Sequence, residues 1–159
     1  LDLIALEQGQ PHFIRSYPFT ANSGGPGPKL REGDGQIPEG VYKVNFLNAN
    51  SRFHLSLRLN YPNQFDLGKA SLDGRANPGS DIMIHGSFVS IGCIAIGDEA
   101  IEEVFVLAAD MGMDNIKVVI APHDLRTNAD KPQAPSLPQW IDELYEAIKA
   151  ELDQLPSPK

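Results

Sequence analysis

The alternation of apolar and polar side chains predicts a chain built mainly from short β-strands. Residues 1–7 and 12–19 are two such runs separated by Gly9-Gln10-Pro11, a pattern typical of a hairpin. Strand character returns at 41–47 and is clearest at 53–60, where the alternation is typical of a half-buried strand. Its apolar face holds Phe53, Leu55, Leu57 and Leu59, and its polar face holds His54, Ser56, Arg58 and Asn60.

Two short apolar runs later in the chain carry polar residues of chemical interest. Residues 81–84 lead to His85, and residues 91–96 contain Gly92-Cys93. Asp98 is a suitable N-cap for a following helix that Gly112 would end. The apolar face of that helix holds Ile101, Val104, Phe105 and Ala108. A last buried strand is predicted at 116–120.

The remaining segments predict loops and a tail. Residues 22–40 contain six glycines and three prolines and predict a long loop, a kind of segment that is often functional. Residues 62–80 are polar and turn-rich. Prolines at 129–138 predict a linker, after which an amphipathic helix begins. We therefore expect one domain at 1–127, followed at 128–159 by a linker and a C-terminal helix packed on it.

The composition supports a globular, β-rich fold. Hydrophobic residues make up 42% of the chain and charged residues 21%, proportions that allow a core to close. Thirteen prolines and fourteen glycines imply frequent turns, which favour many short strands over a helical bundle. The expected fold class is mainly β with some helix, in the α+β sense.

The charge and hydropathy exclude two classes of partner. A net charge of −8 leaves no broad positive face for a nucleic acid backbone. No stretch approaches the roughly 20 apolar residues that a membrane-spanning helix needs. The chain begins at Leu1 without the pattern of a signal peptide, so its localisation has to be inferred from its substrate.

Cys93 is the single cysteine, so it is either a small core residue or a reactive thiol. A thiol attacks only as the thiolate, which requires a nearby base or positive charge. His85 is the candidate base, because the seven residues between it and Cys93 allow the chain to turn back. The backbone amides of Ile91, Gly92 and Cys93 are candidates for holding an oxyanion. The chemistry that this arrangement implies is acyl transfer.

Other polar residues have simpler interpretations. His12, His54 and His123 are predicted surface or satisfied histidines, and none has the spacing of a metal ligand, so we expect no metal site and no cofactor. Residues 24–29 lack the Gly-Lys-Ser/Thr of a phosphate loop and predict a substrate-side loop or a connection. Arg58, beside His54 on one strand face, is suited either to a substrate carboxylate or to a surface ion pair.

Several motifs in the same order resemble the L,D-transpeptidase catalytic domain of the YkuD type. They are Gln36-Ile37-Pro38-Glu39-Gly40-Val41-Tyr42-Lys43-Val44, Ile84-His85-Gly86-Ser87 and Ser90-Ile91-Gly92-Cys93. Further stretches are similar to the YafK-like branch of that family. They are Ser23-Gly24-Gly25, the run 27–34, Ser51-Arg52-Phe53-His54-Leu55-Ser56-Leu57, Tyr61-Pro62-Asn63 and Ile101-Glu102-Glu103. The match spans roughly residues 1 to 123.

The resemblance implies a β-sandwich or open barrel with one helix after the cysteine. It implies that Cys93 attacks a peptide carbonyl at an L,D bond of the murein stem and forms a thioester. By the same resemblance His85 is the general base, and the Gly86 carbonyl orients its imidazole. Ser87 and Ser90 lie in the matched motifs and join His54 and Arg58 as candidate substrate-binding residues.

The chain departs from the common family pattern at two positions. Ile91 stands in place of the second histidine of Ser-His-Gly-Cys, and Ala95 in place of the arginine that follows. Both departures fit the YafK-like branch, and they make Arg58 or another basic residue the candidate for holding the substrate carboxylate. That branch is associated with cleaving murein stem peptides from attached lipoprotein. We therefore favour water over an amine as the acceptor, and a location in the periplasm or cell envelope.

Two other classes of function stay open. The missing histidine and arginine are compatible with a non-catalytic murein-binding module on the same fold. A redox-sensing thiol would titrate at low pH and would react with oxidants rather than with peptide mimics.

Overall fold

The chain folds into two sheets and three α-helices in a computed structural model that describes residues 1–128, 130–132 and 137–156. The strands are β1 (Asp2–Glu7), β2 (Gln10–Ser16), β3 (Gly40–Ser51), β4 (His54–Leu59), β5 (Met83–His85), β6 (Ile94–Ala95) and β7 (Lys117–Ile120). The helices are α1 (Gln64–Leu72), α2 (Asp98–Met111) and α3 (Ile141–Leu152), with a 3-10 turn at Met113–Asn115. The predicted mainly β class is confirmed.

The main sheet has five strands in the order β6-β5-β4-β3-β7. All of its pairings are antiparallel except that of β5 with β6, where Ile84 pairs with Ile94 and His85 with Ala95. The β1–β2 hairpin forms a separate two-stranded sheet, as the sequence predicts. Parallel pairing of β5 and β6 brings the His85 and Cys93 segments side by side.

The outer side of β6 is closed by the segment that follows the hairpin. Ala21 forms an isolated antiparallel bridge with Ala95. The Thr20 amide donates to the Ala95 carbonyl over 2.9 Å, and the Ala95 amide donates to the Ala21 carbonyl over 3.3 Å. Residues 20–21 therefore cover the edge of the sheet beside the candidate nucleophile.

Helix α1 lies inside the segment whose composition predicts only turns. It begins with a capping box, in which the Asn63 side chain accepts from the Asp66 amide and the Asp66 carboxylate accepts from the Asn63 amide. Gly68 and the polar residues of this helix hide its periodicity.

Two expected boundaries shift by a few residues. Asp98 is the first helical residue of α2 rather than its N-cap, which is Gly97, whereas Gly112 does end the helix. The strand expected at 91–96 is reduced to Ile94–Ala95.

The main core lies between α2 and the five-stranded sheet, where α2 packs mostly on β4. Its fully or almost fully buried side chains include Tyr42, Leu57, Leu59, Ile84 and Ile101. Burying such side chains is the largest favourable contribution to folding. In the described residues no helix is long and apolar enough to cross a membrane.

A second core lies under α3. Ile141, Leu144, Tyr145 and Ile148 are buried there against Leu125, with partly buried neighbours from α1 and β7. Residues 129 and 133–136 of the predicted linker lie outside the described part of the chain. The domain boundary at residue 127 stays a prediction.

Candidate active site

His85 ends β5 and is held in one tautomer by its own neighbour. Its Nδ1 lies 2.6 Å from the Gly86 carbonyl oxygen. Because a carbonyl oxygen can only accept, Nδ1 carries the proton and Nε2 keeps a free lone pair. The Gly86 carbonyl therefore fixes the tautomer in which His85 can act as a base, so no carboxylate partner is needed.

The imidazole is enclosed by aromatic and backbone groups. Its residue is 1% exposed, and the Phe53 ring lies 4.6 Å from its ring centroid at 32°. Burial lowers the pKa of His85, while the hydrogen bond to the Gly86 carbonyl opposes that effect. At neutral pH the imidazole is therefore uncharged.

Gly86 is required here for space. A Cβ atom at this position would lie 2.6 Å from the Asp98 carboxylate, 2.7 Å from the Phe53 carbonyl and 3.0 Å from the Ile101 side chain. Glycine lets the chain pass between β4 and α2, so that its carbonyl meets the imidazole.

Cys93 lies just before β6 and is half-buried. Its Sγ is 3.6 Å from the Asp81 carbonyl oxygen, and within the part of the chain that the structure describes it makes no hydrogen bond to His85. Burial raises the pKa of the Cys93 thiol; the Met83 amide and Lys29 lower it, and Asp81 raises it further. The thiol is therefore protonated at neutral pH in this arrangement, and the role of Cys93 as a nucleophile stays a prediction.

The pKa shifts of Cys93 and His85 together favour a neutral thiol beside a neutral imidazole. A raised thiol pKa and a lowered imidazole pKa both disfavour a preformed thiolate–imidazolium pair at neutral pH. Proton transfer from sulfur to Nε2 would therefore have to accompany bond formation at sulfur. Contacts between catalytic groups are often long in unliganded sites and shorten when substrate binds.

The backbone amides beside the thiol already have partners. The Gly92 amide donates to Ser23 Oγ over 2.6 Å, and the Cys93 amide donates to Ser90 Oγ over 3.1 Å. Ser90 Oγ in turn donates to the Cys93 carbonyl over 2.6 Å. Ile91 is 85% exposed. An acyl oxygen would therefore have to share or displace hydroxyl groups at two of the three predicted amides.

A cleft of about 210 Å³ opens beside the thiol. It is lined by Cys93 and Gly92 on one side and by the loop of residues 29–35 and Asp81 on the other. Lys29 is the buried cation of this cleft, with Nζ 2.7 Å from Asp34 Oδ1 and 3.0 Å from the Arg31 carbonyl. The long loop is therefore part of the site.

The predicted substrate-binding residues are not all brought together. Ser90 contacts the Cys93 backbone directly. Arg58 donates to Asn45 over 3.1 Å and lies 3.7 Å from the Asp81 carboxylate, so it is linked to the cleft through Asp81. His54 instead lies 2.6 Å from Glu102 of α2, and so it does not join Arg58 in one site.

Ser87 also has other partners. Its amide donates to Asp98 over 2.6 Å, and its carbonyl accepts from Thr20 over 2.8 Å. Among the described residues no three His, Cys, Asp or Glu side chains are arranged to hold a metal ion.

Sequence reasoning missed two side chains of this site. Ser23 and Lys29 appear in the sequence only as parts of matched motifs, and their roles depend on loop geometry. Ser23 lies 69 positions from the amide that it contacts.

Ser56 Oγ is a third polar group near the site. It is buried without a hydrogen-bond partner in the described structure, and Ser56 pairs with His85 across β4 and β5.

Known proteins resemble this chain in sequence. The family model of the L,D-transpeptidase catalytic domain matches residues 3–120. The putative L,D-transpeptidase YafK of Escherichia coli strain K12 is 36% identical over 127 residues, which cover 77% of this chain and 49% of the relative. The same protein from Escherichia coli O157:H7 matches with the same identity and coverage. The chain spans about half the length of the curated relatives it matches.

Solved structures share the fold at low identity. Bd1075 of Bdellovibrio bacteriovorus aligns with a TM-score of 0.52 and 18% identity, covering 96% of this chain and 50% of that one. The helical cell shape determining protein Pgp2 of Campylobacter jejuni aligns with a TM-score of 0.54 and 17% identity, covering 99% of this chain and 67% of that one. At these identities the likeness concerns the fold.

Proposed function

The chain belongs to the L,D-transpeptidase catalytic domain family, and from that premise we propose that it is a peptidoglycan-acting cysteine enzyme. Cys93 is the nucleophile, His85 the general base and Gly86 the residue whose carbonyl orients the base. The observation that carries this proposal is the 2.6 Å contact between His85 Nδ1 and the Gly86 carbonyl, which leaves Nε2 free to take a proton.

The first half-reaction forms a thioester. The thiol proton passes to His85 Nε2 as sulfur attacks the carbonyl carbon of an L,D peptide bond in a murein stem. The resulting oxyanion is held by amides from residues 91–93. His85 then returns the proton to the leaving amine, the C–N bond breaks, and the acyl group stays on Cys93.

Water then resolves the thioester in our proposal. His85 takes a proton from the attacking water, a carboxylic acid product leaves, and the thiol is regenerated. The resemblance of the sequence motifs to the YafK-like branch favours this outcome over transfer to an amine.

Two cations are candidates for holding the substrate carboxylate. Lys29 lines the cleft with Cys93, and Arg58 reaches it through Asp81. Ala95, which stands where the family pattern has an arginine, is fully buried and carries no charge. Each cation can be replaced by Met. If it binds the substrate carboxylate, its replacement should raise KM more than it lowers kcat.

The proposed substrates are murein stem peptides, including those that carry an attached lipoprotein, and the proposed location is the periplasm or cell envelope. The test is incubation of the protein with murein fragments and lipoprotein-linked murein in water enriched in oxygen-18. Mass spectrometry should find the heavy oxygen in the newly formed carboxyl group. A product joined to an amine instead would show that the acceptor is an amine and the reaction transpeptidation. Full activity of Cys93→Ala would contradict the role of Cys93 as the nucleophile.

A non-catalytic murein-binding module is the second candidate. The observation that favours it is the resting thiol, which faces the Asp81 carbonyl and has a raised pKa. Binding to murein sacculi with no covalent adduct at Cys93 after exposure to a carbapenem-type acylating probe would support this alternative.

A further inference from the structure

Ser23 Oγ accepts a hydrogen bond from the Gly92 amide, which is one of the proposed oxyanion donors. The Gly92 N–H is directed at this oxygen over 2.6 Å, and Gly92 precedes the nucleophile with φ at +80°. A φ of this sign suits glycine, and it turns the peptide towards the loop of residues 23–36. An acyl oxygen that is drawn to the Gly92 N–H would therefore also come close to the Ser23 hydroxyl.

The hydroxyl proton of Ser23 has a resting partner that can be exchanged. It is donated to the Gly35 carbonyl over 2.7 Å. Gly35 lines the cleft, so water can solvate its carbonyl if the hydroxyl turns away. Because the Gly92 amide already polarises the Ser23 oxygen, the hydroxyl is a stronger donor than an isolated serine.

We propose that Ser23 is a further catalytic residue, whose hydroxyl turns from the Gly35 carbonyl to the oxyanion formed during attack by Cys93. This inference rests on the proposed acyl transfer at Cys93. The new bond is to a charged acceptor and replaces one to a neutral carbonyl, so it is stronger in the transition state than at rest. No proton is transferred in this step; the hydroxyl only changes its acceptor.

The experiment compares acylation with alkylation of the same thiol in the full chain. Acylation by a carbapenem-type probe develops an oxyanion, whereas alkylation by iodoacetamide does not. Intact-mass kinetics over a range of probe concentrations give the maximal acylation rate and the half-saturating concentration. We expect Ser23→Ala to lower the maximal rate about 10- to 100-fold, with little change in half-saturation or in alkylation. Ser23→Thr keeps the hydroxyl and should restore most of the rate.

Thr127→Ala is the matched control, because its hydroxyl donates to the Asp124 carbonyl outside the cleft. Equal acylation of wild type and Ser23→Ala would overturn the role of Ser23 and leave the proposed function intact. Faster acylation of Ser23→Ala would show that the hydroxyl blocks the site, and equal slowing of acylation and alkylation would show a structural role; either result overturns the inference. A wild-type protein that is alkylated but never acylated would instead contradict the proposed function.

Discussion

Tyr145 of α3 donates a hydrogen bond to Glu39 Oε2 over 2.8 Å across 106 positions of the chain. The other oxygen of this buried carboxylate accepts from the Gly27 amide over 2.6 Å. Gly27 leads directly into Lys29, which lines the cleft. The C-terminal helix is therefore connected to the candidate active site through one carboxylate.

Replacing Tyr145 by Phe should weaken this connection while keeping the packing of α3. Burial raises the pKa of Glu39, and the bonds from Gly27 and Tyr145 lower it, so losing Tyr145 raises it further. Losing the hydrogen bond destabilises the ionised carboxylate of Glu39 more than the protonated one. We therefore expect a loss of about 1–3 kcal/mol in the free energy of unfolding at pH 7 and a smaller loss at pH 4. Urea denaturation at both pH values measures it.

Tyr17→Phe is the control, because the Tyr17 hydroxyl donates to the exposed carboxylate of Glu103. It should lower the free energy of unfolding by less than Tyr145→Phe does, because solvent screens the exposed carboxylate. Equal losses in the two variants would show that the Glu39 contact has no special weight.

Gly79 and Gly68 should respond to alanine in opposite directions. At Gly79, φ is +108° and a Cβ would lie 2.6 Å from Lys29 Cε, so Gly79→Ala should cost about 1–3 kcal/mol and slow acylation. At Gly68, within α1, nothing lies within 4 Å, so Gly68→Ala should gain about 0.5–1 kcal/mol. Thermal unfolding compares the two, and a neutral Gly79→Ala would contradict the close packing of Lys29.

Asp81 should set part of the reactivity of the thiol. Its carboxylate adds to the effect of burial in raising the pKa of Cys93, so Asp81→Asn should move the pH midpoint of iodoacetamide alkylation downwards. Asp114→Asn makes the same change of charge within the 3-10 turn and should leave the midpoint in place. An unchanged midpoint in Asp81→Asn would mean that the Asp81 carboxylate does not influence the thiol.

Phe53 should control the pH range of the base. Because burial lowers the pKa of His85, the acidic limb of the acylation rate should have its midpoint below the ordinary imidazole value of about 6.5. Phe53→Ser removes the covering ring and should move this limb to higher pH. Ile14→Ser removes an exposed apolar side chain on the β1–β2 hairpin and serves as the control. If the midpoint of the acidic limb does not move in Phe53→Ser, groups other than Phe53 cause the lowered pKa of His85.

Asp66 should make the protein less stable as the pH rises from about 4 to 6. Burial raises the pKa of Asp66 to about 6, against bonds from Asn63 and Tyr42 that lower it. The folded state therefore binds a proton that the unfolded state releases, and the stability lost across this range is on the order of 2 kcal/mol. Asp66→Asn should flatten the profile measured by urea denaturation from pH 4 to 7. A difference in stability between wild type and Asp66→Asn that stays constant over this range would contradict the raised pKa of Asp66.

The strands and the long helices could be predicted because their periodicity is strong. The alternation from Phe53 to Asn60 and the stripe of Ile101, Val104 and Ala108 both mark elements that the structure contains. The first helix was hidden, because Gly68 interrupts it and few of its residues are buried. Its Asn63–Asp66 capping box was the signal that could have revealed it.

Of the candidate site, the sequence predicts the pair of His85 and Cys93 and little of their surroundings. The motifs around these residues nominate the two reactive groups, and parallel pairing of β5 and β6 brings their segments together. The contact of Ser23 with Gly92 and the burial of Lys29 depend on how a long loop folds back, which no local pattern encodes. Ser56 shows the same limit, because a position on the polar face of β4 is almost completely buried.

The bridge from Ala21 to Ala95 also bears on self-association. An open strand edge is a template for pairing with another chain, and natural sheets cover or charge such edges. At β6 the edge is occupied by residues 20–21. At the opposite end, β7 carries the charged side chain of Lys117, which pairs with Glu151. Loss of the bridge would free a strand edge beside Cys93, so oligomers formed through that edge would be expected to lose the proposed acyl transfer as they grow.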